Sequence, residues 1–316
     1  MALNACKTCC AEELHCRNIL LKHPNSTPFV ISAWPVKHVV FVTYRVVVAL
    51  FCIAYIIRTG FYHTKNSNED STKWFIYLTD WGFALLTLHF LWSAGTAVHH
   101  AITAKSSTVP QRQHYSANVP MRWFHGVGWF LFNGAVNLSL LVTILFWVLL
   151  YPSSGGNTNS VNSTSNNSSG SAGFSQDAGQ DVEVNIVMHT INSVLSLADV
   201  FFSATPIRIL HGVYTMVIAS VYAVFTIIYW AAGGTNTYNG QRYIYPVLDY
   251  SNKPNKATLN IVLSVFVALP LVQLFTYGCF RLRDYLTKRC NSQKYCLPTS
   301  SSDGIDQLED LISSKI

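Results

Sequence analysis

The chain has 316 residues, half of them hydrophobic and only 11 % charged, with 21 Lys and Arg against 15 Asp and Glu. Soluble domains carry about a quarter charged residues, so the composition argues against a water-soluble globule, a disordered tail protein and a nucleic-acid binder. A mean hydropathy of +0.26 points to a membrane-embedded chain, and the net charge of +6 is scattered over loops rather than gathered in one basic block.

Residues 1–36 have no apolar core of the signal-peptide kind and read as a cytosolic tail. The spacing of Cys6, Cys9 and Cys10 would suit the start of a zinc site, but no second CxxC or HxxxH follows in that tail. Palmitoylation of the membrane-proximal Cys9 and Cys10 fits better than metal. Six apolar runs come next, at 37–57, 74–98, 123–150, 184–204, 210–230 and 257–280. Each has the ~20 residues that cross a ~30 Å hydrocarbon core as a helix, the form that satisfies its own backbone in lipid. Trp74, Trp123, Tyr151 and Trp230 sit at their ends as interfacial anchors. The fold class expected is therefore all-α, a six-helix transmembrane bundle over residues 37–281, followed by a weakly structured tail at 282–316.

Lys and Arg set the orientation. The two tails and the second and fourth loops together hold 14 of them and the opposite loops 6, which places both termini in the cytosol. The third loop, residues 152–180, has 19 Ser, Gly or Asn among its 29 residues and lies outside in this topology. Its N-x-Ser/Thr acceptors at Asn162, Asn166 and Asn167 read as glycosylation sites on a flexible extracellular loop. Cysteines outside the spans all fall on the reducing side, so no structural disulfide is expected.

Ionisable groups inside spans need a partner or a function. In the fourth span Asn185, His189, Asn192, Ser196, Asp199 and Ser203 step by three or four and share one helical face. Interhelical hydrogen bonding explains such a stripe, but one that carries both His and Asp also suits a functional cavity. Counting from the span ends places Thr79, Asp80 and His189 at one depth near the outer boundary. On the inner side it places Arg45 level with Asp199, a buried structural ion pair. His89, His99, His100 and His125 show no metal-ligand spacing and read as interfacial or hydrogen-bonded histidines.

At Lys73–Phe83, KWFIYLTDWGF, and Tyr243–Tyr250, YIYPVLDY, the chain resembles the rolling stone proteins, with Gly233-Gly234 after Tyr229-Trp230 as a further match. The resemblance spans roughly residues 34–281. It implies a multi-pass protein of the plasma membrane with a cell-surface role of the myoblast-fusion type. The same region is more distantly similar to the androgen-induced and androgen-dependent membrane hydrolases of fatty-acid esters of hydroxy fatty acids. Met188-His189-Thr190 followed by Asp199 matches their histidine context, and Tyr245, Pro246, Leu248 and Asp249 match a second motif. Their threonine nucleophile carries over to Thr79, after Trp74.

That resemblance implies ester hydrolysis with Thr79 as nucleophile and His189 as base, needing no cofactor or metal. Asp80, Asn185 and Asn192 are candidates to orient the imidazole, in that order. The partners expected are membrane lipids, an acyl-ester lipid as substrate among them, and no nucleic acid. The competing reading is a non-catalytic adhesion or fusion factor acting through its loops. A transporter ranks last, because no inverted repeat or broken helix is evident.

Overall fold

The computed structural model describes residues 13–66, 71–106, 119–150, 187–237 and 240–296. Cys9, Cys10, Asn162, Asn166, Asn167 and Asn185 lie outside these residues. The described chain is all-helical apart from one isolated bridge between Ser32 and Ser203. Its long elements are α1 (His38–Asn66), α2 (Leu78–Ser106), α3 (Trp123–Leu145, continued by a π-helical turn at Phe146–Leu150), α4, α5 (Gly212–Ala231) and α6. α4 begins with a π-helical turn at Val187–Ile191 and runs on through Asn192–Phe202. α6 is one rod of Pro254–Leu263, a π-helical turn at Ser264–Ala268 and Leu269–Cys296.

Five stretches among the described residues are long and apolar enough to cross a membrane: His38–Gly60, Leu78–Ala104, Trp123–Leu149, Ile209–Ala231 and Pro254–Cys290. The described part of α4, Val187–Phe202, is apolar but shorter. α3 is the centre of the bundle. Every residue from Phe132 to Val142 is buried, and a helix apolar and buried on all sides is one packed by neighbours all round. Small residues let those neighbours close in. A Cβ on Gly134 would stand 2.9 Å from Leu85 of α2 and 3.3 Å from Ile218 of α5. The outer helices α1, α5 and α6 instead expose one row of large apolar residues, such as Val47, Val217 and Phe275, which is the lipid-facing side of a membrane bundle.

Three boundaries differ from the expectation. α2 starts at Leu78, because residues Ser71–Ile76 wind as a 3-10 turn and the Trp81 indole donates to Phe75 O at 2.7 Å. α6 runs through to Cys296, well into the expected tail. The end of the first tail is also ordered: Phe29 joins a core cluster with Trp129, Phe132 and Val200, and Val30 is buried. The reason is the abrupt end of α4 at Phe202, whose last carbonyls lack helical partners. Trp34 Nε1 donates to Phe201 O at 2.7 Å, while Ala33 N and Ser32 Oγ donate to Phe202 O at 3.0 and 2.9 Å. From α6, Arg283 Nη1 donates to Val200 O at 2.9 Å, to Thr205 O at 3.2 Å and to Ser203 O. A cation there also suits the negative end of the helix dipole.

Candidate functional site

The polar face of α4 is buried along its described length: His189, Asn192, Ser196, Asp199 and Ser203 are all inside the bundle. It serves two different places. Towards the C-terminal end of α4, Arg45 Nη1 lies 2.9 Å from both carboxylate oxygens of Asp199. His89 Nε2 donates to Asp199 Oδ2 at 2.8 Å, and Arg45 Nη1 also donates to Ser93 Oγ at 3.0 Å. The Arg45 guanidinium lies 5.0 Å from the centre of the Phe41 ring and 5.8 Å from that of Phe90. α1, α2 and α4 thus share one charged knot. His89 is the member that span counting does not reveal.

Towards the other end of α4 lies an apolar cavity of about 90 Å³, lined by residues of α2 to α6 and of the loop before α6. Thr79 and His189 both face it. Phe146 and Leu149, His189, and Ser264 and Val265 come from the three π-helical turns of the described chain. Such turns are rare in helices and are frequent at functional sites. An apolar wall carrying a few polar groups is the usual make-up of a small-molecule site.

His189 is held firmly. Its ring stacks on Phe146 with centroids 3.7 Å apart and planes 6° from parallel. Its backbone oxygen accepts from Thr143 Oγ1, which also bonds Ser193 Oγ at 2.6 Å. Its ring Nδ1 is buried and makes no hydrogen bond.

Thr79 is the second residue of α2, shallower in its helix than a span starting at Trp74 places it. It lines the cavity beside Tyr245, whose hydroxyl accepts from Leu78 N at 3.0 Å, and beside Tyr222. Tyr222 donates to Ile76 O at 2.8 Å. Tyr245 and Tyr222 are cavity-lining residues that the reading of spans misses. Tyr245 stands inside the YIYPVLDY motif, which is the signal that points to it.

Neither of the described orienting candidates, Asp80 and Asn192, hydrogen-bonds the imidazole, and Asn185 lies outside the described residues. Asp80 is buried and lies within electrostatic range of Tyr77, Tyr222 and Tyr245, with no ion pair or hydrogen bond to His189. Successive helical residues turn by about 100°, so the neighbour of a cavity-facing Thr79 faces elsewhere. Asn192 accepts from Ser139 Oγ at 2.6 Å and donates to Met188 O at 3.4 Å. Among the described residues no group of three His, Cys, Asp or Glu is arranged to hold a metal ion.

The sequence profile of the family described as "Protein rolling stone" matches residues 3–161 and 177–297. Protein rolling stone of Drosophila melanogaster is 30 % identical over 213 residues, an alignment covering 67 % of this chain and 68 % of that one. No solved structure matches the chain. With most of its length matched by the profile, and with a relative aligned across two thirds of both sequences, this multi-pass membrane protein belongs to the rolling stone family.

Proposed function

We propose that the protein is an intramembrane lipid-ester hydrolase with six spans and both termini in the cytosol, working at the plasma membrane. The observation that carries the reading is one cavity lined by both Thr79 and His189, with the imidazole braced against Phe146. In the proposed reaction Thr79 Oγ attacks the ester carbonyl carbon while its proton passes to His189. The tetrahedral intermediate then expels the alcohol, which takes that proton from the imidazolium. Water, activated by the same imidazole, cleaves the acyl-threonine to the free acid and restores the enzyme. Phe146 holds the ring in place of the carboxylate of a Ser-His-Asp triad. Tyr245 stands beside Thr79 on the cavity wall. A cavity of about 90 Å³ takes the ester and a few methylenes, and leaves the tails in lipid.

A cell-surface role of the fusion type is part of the same proposal, with the Asn162, Asn166 and Asn167 glycans on the outer loop. The test is labelling with a serine/threonine hydrolase probe. Wild type is labelled and cleaves acyl-ester lipids, while Thr79→Ala at equal surface level is not labelled. Purified wild-type protein that neither reacts nor cleaves any lipid ester refutes the hydrolase and leaves the non-catalytic fusion factor.

A further inference from the structure

The other end of α3 carries a second concavity, which the catalytic reading does not use. Its floor is the first two turns of α3, where Trp123, Gly126, Val127 and Phe130 fall at i, i+3, i+4 and i+7 and share one face. Residues 21–24 and 120–122 form its walls and present Lys22 and Arg122, both exposed. The groove holds about 760 Å³, and no Asp or Glu is among the residues that line it. It lies about 30 Å along α3 from the Phe146 end of the helix.

The walls are built features. Arg208 donates to Leu20 O at 3.3 Å and to Lys22 O at 3.2 Å, and its guanidinium lies 4.9 Å from the centre of the Trp129 ring. The Tyr214 hydroxyl donates to Ile19 O. Ser26 ties the first wall to the second, with its N–H and Oγ donating to Val119 O at 2.9 and 3.0 Å. α3 is a membrane-crossing helix, and its first residue, Trp123, is 75 % exposed, as an interfacial anchor is. The groove therefore runs from headgroup level, where the two cations stand, into the apolar zone along α3.

A ligand that matches both parts has a negative head and an apolar tail. We propose that this groove binds an anionic phospholipid of the adjoining leaflet, with its phosphate at Lys22 and Arg122 and an acyl chain along the Trp123–Phe130 face. Free phosphate shares the head chemistry but leaves the apolar floor unused. A Cβ on Gly126 would meet Leu21 O and Met121 Cε at 3.7 Å, ordinary contact. Alanine therefore fits at 126, while leucine projects into the groove.

The test uses the full chain in phosphatidylcholine nanodiscs with phosphatidylserine as the minor component, and native mass spectrometry to read the lipid retained. Phosphatidylserine is retained in preference to phosphatidylcholine. Lys22→Gln, a change at an exposed site that leaves the fold intact, lowers that preference roughly fivefold, and adding Arg122→Gln lowers it about as much again. Gly126→Leu removes it and Gly126→Ala keeps it. Retention with no preference for phosphatidylserine, or unaltered by Lys22→Gln, overturns the proposal. Competition by inorganic phosphate also overturns it, since the site then recognises phosphate alone. None of these outcomes depends on Thr79 or His189.

Discussion

The two places that α4 joins differ in how their polar groups are matched. At the Arg45–His89–Asp199 knot three ionisable side chains meet one another and Ser93 inside the bundle. At the cavity Thr79 stands beside a tyrosine, and His189 is braced by a ring and a backbone contact, with no charged side chain among the described residues bonded to it. Charges paired with each other inside a bundle contribute first to structure. A firmly held imidazole that lines an apolar hollow and pairs with no charge is free for chemistry. Substitutions at the two places should therefore fail in opposite ways.

The largest effect is expected at the cavity. Thr79→Ala and His189→Ala should each lower acyl-ester hydrolysis by roughly a thousandfold or more, with normal abundance, and the double variant should be no worse than either single, because the pair acts as a unit. Lipid-ester turnover by protein quantified at the cell surface checks this, and a double variant markedly worse than both singles would separate the two roles.

The knot should show the reverse. Arg45→Leu or Asp199→Leu strands a buried charge, at a cost of about 3–5 kcal/mol, so abundance falls while the surviving protein keeps its specific activity. Removing both charges should recover part of the loss, and additive losses would mean that the two side chains do not interact. Arg283→Gln should cost less, about 1–3 kcal/mol, because it leaves carbonyls at the end of α4 unpaired without stranding a charge. Thermal unfolding in detergent ranks the three.

The smallest effect is at the turn before α6 that supplies Val247 and Leu248 to the cavity wall. Asp249 Oδ1 accepts from Ser251 N at 3.2 Å and Asn252 N at 3.0 Å. Burial pushes this carboxyl up, but the Asn252 and Ser251 donors and the nearby Lys253 outweigh it and hold it below the usual carboxylate range. A depressed carboxyl stabilises the fold fully above its unfolded value, about 3.9, and that stability is lost as pH falls through the lower folded value. Asp249→Asn keeps the accepting oxygen and loses only the charge, so it should cost no more than about 0.5 kcal/mol at neutral pH, and the difference from wild type should vanish in strong acid. A gap that persists there would point to packing rather than charge.

How much of this was legible depended on which coordinate of a helix residue was needed. Depth follows from counting, at 1.5 Å per residue, and counting alone puts Arg45 level with Asp199. Azimuth and helix neighbours do not follow from counting. Asp80 has the right depth and the wrong face, and His89 joins the knot only because α2 lies against both α1 and α4. The period of three and four along α4 made its buried face readable. The π-helical turns carry no residue signature and were invisible. Arg283 sits among Arg281, Asp284 and Lys288, a pattern that reads as tail until α4 is seen to end beside it.

The Arg283 contact has a consequence for how the protein is made. Translation completes α4 some eighty residues before Arg283 is synthesised. During that interval the C-terminal carbonyls of α4 rely on Ser32, Ala33 and Trp34, already synthesised, and Asp199 relies on Arg45 and His89. The nascent bundle therefore assembles from both ends of the chain. A protein cut short within α6 before residue 283 would leave the translocon with the last turn of α4 incompletely capped, the kind of defect that membrane quality control can recognise.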